Sequence, residues 1–127
     1  MAIKEINTFE DVQLLVNEFY AKVQQDHLIG PIFNAQIKDK WPIHLEKMYR
    51  FWQTVLLDTH TYSGAPFAPH AFLPIGKEHF EKWLALFKET VSEHFEGTKA
   101  DEAIWRAERM AEMFQHKINF IKNHKPL

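Results

Sequence analysis

The chain has 127 residues, which is the size of a single domain, and we expect residues 1–127 to form one domain. Its 17 acidic and 15 basic side chains leave a formal net charge of -2. Because general nucleic-acid and membrane-surface binders carry a basic excess, we expect neither kind of partner. No cysteine is present, which excludes disulfides, thiolate metal sites, a catalytic cysteine and iron–sulfur clusters.

Segment 1–9 carries two charges and lacks the apolar run of a signal peptide, and no window approaches the roughly 18 apolar residues of a membrane helix. We therefore expect a cytoplasmic protein. The composition is unusual in its eight histidines and in its aromatic content of 11 Phe, 4 Trp and 3 Tyr. At roughly 150–250 Å² of buried surface each, these rings exceed the needs of a small core. They predict either a large apolar pocket or an unusually thickly packed core.

The first predicted helix begins at Thr8, whose capping-box partner is Asp11, and ends before Gly30. Ile32 and Phe33 follow as two apolar residues that we expect in a turn. The apolar residues of the helix recur at helical spacing, with Tyr20 at the edge of the stripe: Val12, Leu15, Val16, Phe19 and Val23.

Three more helices follow. Pro42 suits the first turn of the second helix, and the third begins near Gly76 and stops at Gly97. Thr98 and Asp101 repeat the capping pattern for the fourth, which runs to the C-terminus. No segment shows the alternation of a strand bounded by hairpin turns, so we expect an all-α fold.

Residues 58–75 cannot form one helix, because Gly64, Pro66, Pro69 and Pro74 interrupt them. Loops of this length are usually functional or disordered. Disorder is disfavoured because the segment also contains apolar side chains that need burial, namely Tyr62, Phe67, Phe72 and Leu73. A single helical turn from Pro69 to Phe72 would direct His70 into the space that these residues surround.

The histidines show neither the His-Glu-x-x-His zinc motif nor the Glu-x-x-His pairs of di-iron bundles. His44 and His70 differ from the others because both lie among apolar and aromatic residues. Either alone is typical of a satisfied buried histidine. Together, in an all-α chain without cysteine, they indicate a haem, with one neutral imidazole on the iron and the other facing the sixth position. Six histidines have polar surroundings and are predicted at the surface: His27, His60, His79, His94, His116 and His124.

Three groups of residues carry a family resemblance. They are Phe19-Tyr20 followed by Gly30-Pro31-Ile32-Phe33-Asn34, then His44-x-x-Lys47-x-x-x-Phe51-Trp52, and His70-x-x-Leu73-Pro74 followed by Phe80-x-x-Trp83-Leu84-x-Leu86-Phe87. In this order and spacing the chain resembles the truncated haemoglobins of group III, nearly from end to end. The absence of glycine–glycine motifs, which other truncated globins carry, agrees with this group.

The resemblance implies a two-over-two helical sandwich around a b-type haem, with the loop at 58–75 as the reduced F region. It implies that His70 is the proximal iron ligand. Tyr20, Trp83 and His44 are similar to the family's distal polar residues. For His44, three roles stay open: gating the pocket, bonding to the ligand, or binding the iron when no ligand is present.

We also expect a set of haem-pocket residues, and the resemblance gives two of them a place in the family. Phe33 corresponds to the phenylalanine that wedges against the ring, and Met48 stands where the family has aliphatic residues. Lys47 is either a contact of a haem propionate or a plain surface lysine. The full predicted set is Phe33, Met48, Phe51, Trp52, Phe72, Leu73, Phe87, Phe114 and Ile118.

The function implied is reversible binding of O₂, and of CO, NO and cyanide, at the haem iron of a monomer. Three donors near the ligand favour O₂, NO or peroxide chemistry, including NO dioxygenase or peroxidase-like activity, over bulk transport. The sequence shows no reductase domain, so turnover needs an outside electron donor. Two alternatives stay open: a simple oxygen carrier or store, and a haem-free helical interaction module whose histidines are only structural.

Overall fold

The computed structural model describes residues 3–58, 60–62, 64, 70 and 73–123. These residues form five helices and no β-strand, which confirms the all-α prediction. A single isolated bridge joins Lys4 to Phe95. Within the described ranges no helix is long and apolar enough to cross a membrane. The helices are α1 (Phe9–Gln25), α2 (Gly30–Ile37), α3 (Trp41–Leu57), α4 (Lys77–His94) and α5 (Thr98–Asn123).

The helices pack as two pairs, α1 with α3 and α4 with α5, and the contact between α1 and α4 joins the pairs. The short helix α2 packs on α1. Phe19 from α1 and Phe87 from α4 meet in the centre of the core, with ring centroids 5.2 Å apart. On α5 the buried positions include four alanines, whose small side chains let the neighbouring helices approach closely: Ala100, Ala103, Ala107 and Ala111.

The predicted capping box at the start of α1 is confirmed. The Thr8 hydroxyl accepts the N–H of Asp11 at 3.2 Å. The buried Asp11 carboxylate accepts the N–H groups of Asn7 at 2.9 Å and Thr8 at 3.1 Å, and pairs with the Lys4 ammonium at 2.8 Å. Asp11 thus satisfies backbone donors that the helix itself leaves unpaired.

These bonds make the stability of the fold depend on pH. Burial would raise the pKa of Asp11, yet Lys4 and the N–H groups of Asn7 and Thr8 outweigh it and hold the pKa below its usual value. A carboxyl whose pKa is lower in the folded state stabilises the protein above its unfolded pKa, and this contribution is lost as the pH falls through the folded pKa.

We expect Asp11→Asn to lower the free energy of unfolding at pH 7 by about 1–2 kcal/mol, in the range of lost helix caps. The difference from the wild type should shrink at pH 3, where the wild-type carboxyl becomes neutral as well. Urea unfolding at both pH values measures this, with Glu10→Gln on the exposed side of the same helical turn as the control. A difference that is the same at both pH values would contradict the assignment.

The turn predicted for Ile32 and Phe33 is wrong, because both residues lie in α2. The helix forms because the Asp26 carboxylate accepts the N–H groups of Leu28 and Ile29, at 2.9 and 3.0 Å, and turns the chain. At the first position of α2, an added Cβ on Gly30 would lie 2.9 Å from two carbonyl oxygens of α1. Only glycine allows α2 to begin so close to the end of α1.

The start of α5 also differs from the prediction. Thr98 is already inside the helix, and the N–H groups of Lys99 and Ala100 donate to the Glu5 carboxylate at 2.8 and 3.4 Å. Gly97, predicted to end the third helix, lies after the end of α4 at His94. Its φ of 105° and the closeness of Glu5, which an added Cβ would hit, both require glycine there.

Candidate functional site

A cavity of about 350 Å³ lies among the five helices, and every helix contributes to its wall. This volume falls in the roughly 300–1,000 Å³ range of small-molecule sites. The wall is mostly apolar and contains many aromatic side chains, as the composition predicts. The aromatic lining residues are Tyr20, Phe33, Phe51, Trp52, Tyr62, Phe80, Trp83 and Phe114.

The four side chains predicted to surround the ligand all line this cavity. Tyr20 comes from α1, His44 from α3 and Trp83 from α4, while His70 comes from the loop before α4. The fold therefore brings together residues that are far apart in the chain. The other predicted pocket residues that line the cavity are Phe33, Met48, Phe51, Trp52, Leu73 and Phe114.

Two predicted pocket residues lie behind the wall instead. Phe87 is buried and stacks against Trp52 and Trp83, with centroid distances of 5.0 and 5.9 Å. Ile118 is buried in a small cluster with Phe114. Each follows a lining residue by four positions, so helical periodicity finds the buried face without distinguishing the cavity from the core behind it. Phe72 is also predicted to line the pocket, but it lies outside the described residues. The predicted helical turn from Pro69 to Phe72 lies outside them too, except for His70.

His79 is the most informative residue that the sequence interpretation misses. It is predicted at the surface, yet it is partly buried and lines the cavity. Its Nδ1 accepts the N–H of Gly76 at 2.9 Å, which ties the ring to the start of α4. The available signal is its position four residues before Trp83, on the same face of α4. The other lining residues not predicted are Ile29, Ile32, Gln36, Ile37, Ile75, Phe80, Met110 and Ala111.

The remaining predicted surface histidines divide as follows. His27, His60 and His116 are exposed, in agreement with the prediction. His94 is half-buried at the end of α4, with its ring 6.2 Å from that of Phe95. His124 lies outside the described residues.

His44 has an unusual environment. Its Nε2 is buried and has no hydrogen-bond partner among the described residues. Burial, together with the charges of His70 and Lys47, lowers the pKa of His44 to about 4, so the ring is neutral at pH 7. Because an unpaired buried polar group costs about 1–3 kcal/mol, this nitrogen points to a ligand in the cavity.

Tyr20 and Lys47 are two further polar side chains of the cavity wall. Burial raises the pKa of the Tyr20 hydroxyl, which therefore keeps its proton and can act as a donor. Lys47 is exposed and yet lines the cavity, so it lies at the rim, where a ligand carboxylate would meet solvent.

The family model of bacterial-like globins matches residues 4–120. The chain belongs to this family. The group 3 truncated hemoglobin ctb of Campylobacter jejuni is 34% identical over 122 residues, which cover 93% of this chain and 95% of that protein. A crystal structure of the group III truncated hemoglobin from Campylobacter jejuni matches the fold with a TM-score of 0.83 at 33% identity, over 92% of this chain and 95% of that one.

These matches confirm the resemblance to group III truncated haemoglobins and the truncated-globin fold. Membership of the family implies that this globin binds haem and gas ligands. The cavity fits such a group, since it combines apolar walls, the imidazole of His70 and the unpaired Nε2 of His44. Among the described residues no cluster of three or more His, Cys, Asp or Glu could hold a bare metal ion. A haem suits such a lining, because it can be held by a single imidazole together with apolar contacts.

Proposed function

We propose that the cavity would hold a b-type haem whose iron His70 would bind, and that the protein reversibly binds O₂, CO, NO and cyanide. The observation that carries this proposal is the buried, unpartnered Nε2 of His44 in the same apolar cavity as His70. A chain without cysteine has no thiol for covalent attachment, so the haem is held by one imidazole and the apolar wall. When bound, haem supplies the iron at which these small ligands bind.

The chain's own residues have distinct parts in this proposal. The His70 imidazole would supply the electron pair that holds the group. Tyr20 and Trp83 are the hydrogen-bond donors, through the phenol O–H and the indole N–H, toward a polarised small ligand. Hydrogen bonds to a charged acceptor are worth roughly 1.5–3 kcal/mol each. Lys47 at the rim pairs with a haem propionate.

Two such donors slow the release of O₂, which favours chemistry on O₂, NO or peroxide over transport. The electron donor for turnover is a separate molecule, and the globin acts as a monomer.

Stopped-flow measurement of O₂ dissociation and of NO consumption by the O₂-loaded protein tests this proposal. We expect slow O₂ release together with rapid NO consumption. Fast release without NO consumption would instead indicate a simple carrier or store.

A further inference from the structure

The rings of Tyr20, Trp41 and His44 pack against one another beside the cavity. Tyr20 and His44 line the cavity, whereas Trp41 does not. His44 meets the ring of Tyr20 at 5.1 Å and 87°, and the ring of Trp41 at 5.6 Å and 90°. Tyr20 and Trp41 are themselves 5.8 Å apart. The His44 imidazole is therefore held edge-on between a residue of α1 and a residue of its own helix.

Trp41 is in turn tied to the two preceding helices. Its Nε1–H donates to the Asn34 Oδ1 at 3.2 Å, and the Asn34 Nδ2 donates to the carbonyl of Gln24 at 3.2 Å. The amide of Asn34 therefore acts as acceptor and donor at once, which joins α3 to α2 and to the end of α1. An aspartate in its place could accept but not donate, and a leucine could do neither.

Among the described residues, the buried Nε2 of His44 has no hydrogen-bond partner that would restrain its ring. The edge-on contacts with Tyr20 and Trp41 restrict the directions that this ring can take. A hydrogen bond that fixes Trp41 therefore also restricts His44. We propose that Asn34 is a positioning residue, which acts through Trp41 to fix the His44 imidazole and so limits the access of gas ligands to the cavity. The part about ligand access rests on the proposed function.

The first test uses the apoprotein, so it does not depend on haem. Ring-current shifts from Tyr20 and Trp41 displace the NMR signals of the His44 ring protons. We expect Asn34→Leu to move these signals toward their values in an unfolded peptide, and Trp41→Phe to do the same. Asn17→Leu is the matched control, because Asn17 bonds to Tyr49 away from the cavity. Unchanged His44 signals in Asn34→Leu would overturn the proposal.

The second test measures CO association to the haem-loaded protein. We expect Asn34→Leu to raise the association rate about 2- to 10-fold, the range equivalent to one hydrogen bond of about 0.5–1.5 kcal/mol. Asn34→Asp, which keeps an acceptor for the Trp41 N–H but loses the donor to Gln24, should give a smaller increase. In a His44→Leu background the effect of Asn34→Leu should disappear. An effect that persists there would show that Asn34 acts on something other than His44. If the wild type takes up no haem, the proposed function fails, while the His44 signals still decide whether Asn34 positions that ring.

Discussion

His70→Ala is expected to abolish haem retention. His70 is the proposed axial ligand, and without it only the apolar wall and rim contacts hold the group. The loss of affinity should exceed the roughly 10- to 100-fold typical of removing a partner that only orients a metal ligand. Desalting of the loaded variant, followed by the Soret absorbance per chain, measures the loss. Free imidazole added to His70→Gly should restore part of the absorbance, because it replaces the missing nitrogen.

Two controls separate axial binding from a general effect of losing a histidine. His60→Ala removes an exposed histidine and should leave the spectrum unchanged. His79→Ala removes a cavity histidine that we do not assign to the iron, and should keep the Soret position. If His70→Ala retains the wild-type haem content and spectrum, His70 is not the iron ligand, and His44 becomes the candidate.

Tyr20→Phe is expected to accelerate O₂ dissociation about 10- to 100-fold, which corresponds to the loss of one hydrogen bond to a charged acceptor. The phenol is buried on the cavity wall and keeps its proton, so it is available to donate. CO is less polar than bound O₂, so its dissociation rate should change much less. Laser photolysis and ligand-replacement kinetics measure both rates.

The matched control is Tyr49→Phe, because the Tyr49 hydroxyl bonds to Asn17 and its ring packs against Phe9 outside the cavity. Its O₂ dissociation rate should equal that of the wild type. An unchanged rate in Tyr20→Phe would show that the Tyr20 hydroxyl makes no direct bond to the ligand.

Apolar periodicity predicts the four long helices because each has several turns over which the buried stripe repeats. It fails for α2, whose eight residues offer little more than two turns and contain Gly30 and Pro31 at the start. The chain turns into α2 because the Asp26 carboxylate accepts the N–H groups of Leu28 and Ile29. These residues precede α2, so the residue pattern within α2 does not show the turn.

Helix caps show the same division between local and distant causes. Thr8 and Asp11 lie three residues apart, so their capping box can be predicted from the sequence. The cap of α5 comes from Glu5, more than ninety residues earlier in the chain. That contact exists only once the N-terminal segment pairs with the end of α4, as the bridge between Lys4 and Phe95 shows.

In the site, residue type and surroundings single out His44 and His70, and the family resemblance adds Tyr20 and Trp83. Tyr62 and Leu73, which are expected to need burial, are half-buried and line the cavity. Phe67, expected to be buried in the same segment, lies outside the described residues. The position of His79 on the cavity wall is not predicted, because charged residues precede it in the chain. Its place four residues before Trp83 nevertheless puts it on the cavity side of α4.

Titration of the apoprotein with haemin decides whether this chain forms a haem pocket. We expect the Soret absorbance to saturate at one haem per chain, and His70→Ala to lose this saturable uptake. A colourless wild type whose spectrum does not saturate would show that the chain forms no haem pocket and would favour a haem-free helical interaction module.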